Sequence, residues 1–275
     1  SEETELTIIT NLSNPACYGE DGTITASVNG TTSGYTFEWT EKGNTQVIDN
    51  DNVLKGKAGT YVLKVKNQSG CENQQEIVLS EPAKIEFGLP ELRKVTCFGL
   101  NNGQAAILNG PSNYTYRWSG GSVGQFAINL PAGPGWVVGS LGTCMSDTVF
   151  FVIDTNPLLE LDETKTITVN PNCNGETNGS IVIEATGGTG LGYKYEWNAG
   201  IQSPSLNNIG AGTYIVKISD SNNCEQKDTI VLTEPDILEV FTDNAKTVEL
   251  DCNNLDKGKI ALATRGGNPG VKQVQ

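Results

Sequence analysis

The chain has 275 residues, of which 37% are hydrophobic and 18% charged, and it carries a formal net charge of −14 with no histidine at all. Such an acidic balance argues against nucleic acid and anionic membranes as partners, because both need clustered Lys or Arg. Without histidine a thiol nucleophile has no base, and a zinc site lacks its commonest nitrogen ligand, so the seven cysteines need another role.

In chain order, the first landmark is Cys17, followed by a Gly/Asp turn and by Gly22, which opens a strand pattern. Tyr35-Thr36-Phe37-Glu38-Trp39 alternates aromatic and polar residues, the period of a strand with one buried face. Gly59-Thr60-Tyr61-Val62 starts a further strand, Cys71 closes it, and Ile77 to Pro82 ends the unit. The same landmarks then return. Cys97, Gly103, Tyr114 to Trp118, Gly133-Pro134-Gly135-Trp136, Cys144 and Val149 to Pro157 form a second copy. Cys173, Gly179, Tyr193 to Trp197, Gly212-Thr213-Tyr214-Ile215, Cys224 and Ile230 to Pro235 form a third, and Cys252 with Gly258 opens a fourth.

The leading cysteines lie 80, 76 and 79 residues apart (97−17, 173−97, 252−173), a fixed period that marks a repeat architecture. The repeats are placed at 1–83, 84–157, 158–236 and 237–275, the last an incomplete copy, so the sequence is expected to be a piece of a longer array with any export signal or anchor outside it. Nothing in a unit has the 3.6-residue period of a capped amphipathic helix. The fold class expected is all-β, with tandem immunoglobulin-like sandwiches forming an elongated rod. Short proline-containing joints, Ser80-Glu81-Pro82, Thr155-Asn156-Pro157 and Thr233-Glu234-Pro235, should limit bending between copies.

Trp39, Trp118 and Trp197 are expected to be core aromatics, as the buried tryptophan is in immunoglobulin-like sandwiches; a strip of stacked aromatics for sugars is the functional reading set against that one. Tyr61 and Tyr214 resemble a tyrosine-corner residue in the next-to-last strand, and Trp136 is read as taking that place in repeat two, with a distorted corner. Asp49, Asn50, Asp51 and Asn52 form the best local calcium candidate, but the other copies lack it and the default is a solvated loop. No cofactor is expected. No acid pair stands out for glycoside cleavage, and no catalytic residue is assigned.

Repeats of just under 80 residues hold small cores that usually need a staple. Cysteines at repeat landmarks point to disulfides in an oxidising compartment. Two pairings satisfy the arithmetic. Within repeats, Cys17–Cys71, Cys97–Cys144 and Cys173–Cys224 leave Cys252 for a partner outside the segment; between neighbours, Cys71–Cys97, Cys144–Cys173 and Cys224–Cys252 leave Cys17. The first is preferred, because in the second two extended strands and a joint separate the sulfurs. It holds only if the first and last inter-strand turns come together, which depends on strand count.

The pattern C-x-G, Y-x-[FY]-x-W, A-G-T-Y-x-V-x-[IV]-x-D, x-x-x-C and T-[EN]-P resembles the SprB-type repeat of very large surface adhesins of gliding and other Bacteroidetes bacteria. The resemblance covers residues 5 to 275, best in repeat three and worst in repeat two. It implies an extracellular, cell-surface stalk, exported by the type IX route, that serves attachment and gliding. Its partners would be an external surface or polysaccharide met by other regions of the full chain, together with the gliding and secretion machinery; no nucleic acid and no membrane insertion are expected. Two other classes stay open: repeats that themselves bind polysaccharide, and accessory modules of a large secreted enzyme. The resemblance also implies O-glycosylation at Asp-Thr followed by an aliphatic residue, which places Thr148 and Thr229 as candidates that must face solvent.

Overall fold

The computed structural model describes residues 5–248 and 258–268, and every regular element among them is a strand. The chain divides into two compact units, one comprising Ser1–Arg93 with Gln104–Ile153 and the other Lys94–Gly103 with Asp154–Gln275. These units do not follow the sequence period, because the leading turn of repeat two, which holds Cys97, belongs with repeat three.

In the first unit, repeat one is a seven-stranded sandwich. Ile8–Ser13, Gly22–Val28 and Val53–Gly56 form one sheet in that order; Val47–Asp49, Tyr35–Glu41, Gly59–Asn67 and Glu72–Leu79 form the other. The pleat explains which residues meet between them. In Gly22–Val28 the apolar Ile24, Ala26 and Val28 fall on one face and are buried, while Thr23 and Thr25 fall on the other. Facing them, Phe37, Trp39, Tyr61, Leu63, Val65, Ile77 and Leu79 complete the core. All ladders are antiparallel: Ile8 pairs with Val28, Gly22 with Gly56, and Gly59 with Leu79. This is the two-sheet arrangement of an immunoglobulin-like sandwich.

Repeat two keeps the scheme with departures. Glu91–Arg93, Gly103–Ala106 and Phe126–Leu130 form one sheet, and Thr115–Trp118 pairs with Gly133–Leu141 in the other. Its last strand is broken into Cys144–Met145 and Val149–Ile153, both paired with Gly133–Leu141. Between the pieces Ser146 bonds Gly139 twice, its N–H to the Gly139 carbonyl at 2.8 Å and its Oγ accepting the Gly139 N–H at 2.9 Å.

In the second unit, repeat three has sheets of Ile167–Val169, Gly179–Val182 and Ser205–Ile209, and of Lys194–Trp197, Gly212–Ser219 and Glu225–Leu232. Its core gathers Leu159, Leu161, Ile181, Trp197, Val216, Ile218 and Leu232, with Cys224 buried among them and Cys97 packed against them. A short ladder of Glu160–Leu161 on Ala185–Thr186 opens the repeat, and Glu239–Thr242 on Leu262–Arg265 opens the fourth copy in the same way.

Candidate functional site: the joints between repeats

Strand order decides where each cysteine turn lies. In repeat one the first two strands are antiparallel and the second pairs with Val53–Gly56 through Gly22 and Gly56, so the Cys17 turn lies at the end where Gly59–Asn67 begins. The Cys71 turn follows Asn67, at the opposite end. Eight residue steps of about 3.4 Å put roughly 27 Å between those ends, far beyond the Cα separation of about 7 Å that a disulfide tolerates. A bond from Cys17 to Cys71 is excluded by the fold, as its counterparts are in the other repeats.

Hydrogen bonds show which end faces which neighbour. The leading turn lies where the chain leaves the repeat: Glu81 Oε2 accepts the Gly19 N–H at 2.6 Å, and Ser80 donates its N–H to Asn14 Oδ1 at 3.2 Å. The closing turn lies where the chain enters, with Asn73 Nδ2 donating to the Leu6 carbonyl at 2.6 Å. A leading turn therefore points to the next repeat and a closing turn to the previous one.

The disulfides follow from that polarity and correct both pairings drawn from the sequence. Cys17 is bonded to Cys144 (S–S 2.05 Å, Cα–Cα 5.3 Å) and Cys97 to Cys224 (S–S 2.10 Å, Cα–Cα 5.5 Å), each spanning 127 residues. The leading cysteine of one repeat joins the closing cysteine of the next. Cys71 and Cys173 are exposed and unbonded, so neither Cys71–Cys97 nor Cys144–Cys173 forms. Cys252 lies outside the described residues.

The joint sequences hold these turns in shape. Glu234 repeats the role of Glu81: its Oε2 accepts the Gly175 N–H at 2.8 Å and its Oε1 the Asn174 Nδ2 at 2.9 Å. Gly19 and Gly175 have φ of 75° and 76°, a left-handed backbone that glycine adopts without strain. In the middle joint Asn156, 6% exposed, stands in for the glutamate; it accepts Lys94 Nζ at 2.8 Å and donates to the Thr96 carbonyl at 2.9 Å. Asn222, beside Cys224, donates to the same carbonyl at 3.2 Å. Sequence reading treated Glu81, Asn156 and Glu234 only as linker residues. Their signal was position, since each precedes the joint proline.

The closing turn of repeat three is built on Asp220. Burial works against its ionisation, but the backbone N–H groups of Cys224, Thr189 and Asn222 outweigh it and hold the carboxyl below its ordinary value. Asn67 does the same for Cys71, accepting its N–H at 2.9 Å.

The three tryptophans sit at the centre of their repeats. Trp39, Trp118 and Trp197 are 0%, 1% and 2% exposed, and each indole N–H donates to a loop carbonyl, of Asp51, Gly124 and Ser203 respectively, at 2.8 to 2.9 Å. Buried in this way they offer no stacking face to a sugar. The tyrosine corner is also present, with Tyr61 Oη donating to the Lys57 carbonyl and Tyr214 Oη to the Gly210 carbonyl, both at 2.8 Å.

Trp136 does not take the corner place. It lies one residue too late in the strand, so the pleat turns it outward. Gly135 occupies the tyrosine position, and the space is filled across the ladder: Tyr61 pairs with Ile77, whereas Gly135 pairs with Phe151. A Cβ on Gly135 would lie 2.5 Å from the Phe151 ring, which stacks edge-on against Trp118 at 5.7 Å.

In the calcium candidate, Asp49 Oδ1 accepts the Asp51 N–H of the same loop at 2.9 Å, and Asn52 Nδ2 donates to the carbonyl of Ala26 in the strand Gly22–Val28 at 3.4 Å, so both side chains serve backbone groups. No group of three or more Cys, Asp or Glu suited to a metal occurs among the described residues. Thr148 and Thr229 are exposed, and Val149 and Ile230 turn toward the core.

Compared with known proteins, residues 9–44 and 165–201 match the SprB repeat family, as a SprB-type repeat region would. No curated protein matches the sequence. Among solved structures, Sidekick-1 immunoglobulin domains 1–5 align over 84% of this chain and 60% of that one at 12% identity and a TM-score of 0.26. A two-domain fibronectin type III segment of chicken tenascin aligns over 54% of this chain and 98% of its own at 11% identity and a TM-score of 0.22. This chain spans less than two thirds of the Sidekick-1 fragment.

Proposed function

We propose that this chain is a non-catalytic stalk segment of a secreted, filamentous cell-surface adhesin. The observation that carries the reading is the tie between successive repeats, Cys17 to Cys144 and Cys97 to Cys224. A covalent bond across a joint serves a chain that bears load along its length; it adds nothing to a binding cleft or an active site. SprB repeats occur in secreted surface proteins, and disulfides fit an oxidising, extracellular setting. The divisions at 84, 158 and 237 mark the stalk's units.

The finer parts of the proposal rest on the resemblance: a Bacteroidetes host, export by the type IX route, and work in attachment and gliding. Other regions of the full protein would meet the external surface or polysaccharide, while the secretion and gliding machinery handles the chain. No cofactor is needed, and Thr148 and Thr229, both exposed, are the proposed sites of O-linked sugars. The test is removal of residues 158–236 in frame in the native host. The expected result is a shorter displayed filament that still attaches and moves along the cell. Lost attachment with normal display, or retention of the isolated 275-residue chain on host-relevant polysaccharide, would replace the stalk by a binding role.

A further inference from the structure

Cys71 and Cys173 stand in the geometry of their bonded counterparts. The Cys173 carbonyl accepts the Glu176 N–H at 3.2 Å, as that of Cys17 accepts Glu20 and that of Cys97 accepts Leu100 at the same distance. The Cys71 carbonyl accepts the Asn67 N–H at 3.0 Å, matching Cys224 with Asp220 at 3.2 Å. Both turns are formed with no partner in place.

Beside Cys173 lies a cavity of about 720 Å³ whose lining includes Asn172, Asn174, Ile237, Leu238 and Gly267. In repeat three the counterparts of Leu238 and Gly267 are Leu159 and Gly188, and there the closing turn covers them: a Cβ on Gly188 would lie 2.6 Å from Asp220 Oδ2 and 3.3 Å from Leu159 Cδ1. The equivalence is close. Gly187 and Gly188 have φ of 76° and 55° and press on Leu158 and Leu159, as Gly266 and Gly267, at 72° and 68°, press on Ile237 and Leu238.

We infer that Cys173 and this cavity form the seat for the closing turn of a fourth repeat, an Asp/Asn-x-x-x-Cys hairpin whose thiol bonds Cys173 as Cys224 bonds Cys97. Cys71 is the matching half for the leading turn of a repeat placed before repeat one. The occupant we assign is the fourth repeat's own closing turn and not a second copy, because the chain already begins that repeat at the cavity, where Leu238 and Gly267 adjoin the Glu239–Thr242 and Leu262–Arg265 ladder. The bond forms by exchange with a disulfide carrier, in the cell a thiol–disulfide oxidoreductase and in the assay oxidised glutathione. The Cys173 thiolate attacks a carrier sulfur and releases one carrier thiol; the closing-turn thiolate then attacks the Cys173 sulfur and releases the second. Two protein thiols are oxidised, the carrier disulfide is reduced by two electrons, and the two protons end on the carrier thiols.

The test completes the fourth repeat. A chain in which Thr189–Pro235 follow Gly267 in place of residues 268–275 is folded with reduced and oxidised glutathione, digested without reduction and mapped. A second chain, residues 1–236 followed by another copy of 158–236, guards against misfolding of the first. In each, the added copy of Cys224 should bond Cys173, maleimide labelling of Cys173 should fall by at least tenfold, and Cys71 should stay reactive. Cys173 left open in both chains, or the added cysteine bonded to another residue such as Cys252, would overturn the proposal. So would a dimer of the unextended chain linked through Cys71 and Cys173.

Discussion

Replacing Cys144 with Ala removes the bond to Cys17 and should weaken two repeats at once. The bond spans 127 residues, for which loop-closure entropy gives about 16 cal/mol/K, or about 5 kcal/mol at 25 °C. A link inside repeat one, over 54 residues (71−17), would give about 4 kcal/mol by the same relation, so size alone does not separate the arrangements. Location does. The 17–144 ring encloses most strands of repeat one and most of repeat two, so its loss should speed unfolding on both sides of the joint. Urea denaturation with peptide-resolved hydrogen exchange reads this directly: in Cys144→Ala, amides in Gly22–Val28 and Gly59–Asn67 should lose protection although the substitution lies in another repeat. Cys71→Ala, which breaks no bond, is the control and should leave both regions unchanged. If repeat one kept its full protection in Cys144→Ala, the interlock would not couple the repeats and would not carry force from one to the next.

Other outcomes follow from the cores and turns. Gly135→Ala should cost about 1 to 3 kcal/mol by driving a methyl into the Phe151 ring. Gly135→Tyr alone should cost more, and adding Phe151→Ile should recover much of that loss by restoring the Tyr61–Ile77 pair; thermal melts of the wild type, Gly135→Tyr, Phe151→Ile and the double variant give the coupling. Trp118→Ala should unfold repeat two by about 3 to 5 kcal/mol, seen as loss of near-ultraviolet dichroism. The Asp220 carboxyl titrates lower in the folded chain than in the unfolded one. Its stabilisation is therefore complete above the ordinary aspartate value near 4 and fades as pH falls through the lower folded value; in Asp220→Asn the acid-side slope of repeat-three stability should shrink. Peptide mass spectrometry of protein from the native host should find hexose-type mass on Thr148 and Thr229, and bare threonines there would reject modification.

Much of the architecture was legible from local pattern. A period of two assigns the faces of Tyr35–Glu41 and Lys194–Trp197, and a lone large aromatic on the inner face of a small sandwich has few places to go but the centre. The same rule, applied strictly, would have turned Trp136 outward; matching it to Tyr61 by residue type hid the one-residue offset and the Gly135–Phe151 exchange. The cysteine pairing was not legible. Whether two turns meet depends on how many strands lie between them and in which sheet, and pairings such as Gly22 with Gly56 are long-range facts that no window of sequence contains. The joint glutamates were hidden for a similar reason, since Glu81 acts on Gly19, 62 residues back.

The two disulfide rings overlap, since both contain residues 97–144. If every strand came apart under a pull on the ends, the taut covalent path from Cys17 to Cys224 would cross to Cys144, run backward through repeat two to Cys97, and cross again. Only 47 residues (144−97) of slack lie on that path instead of 207 (224−17), roughly 160 Å of extended chain rather than roughly 720 Å. Molten repeats would still be links of a short chain, and the length of the tether would be fixed by sulfur even where folding had failed.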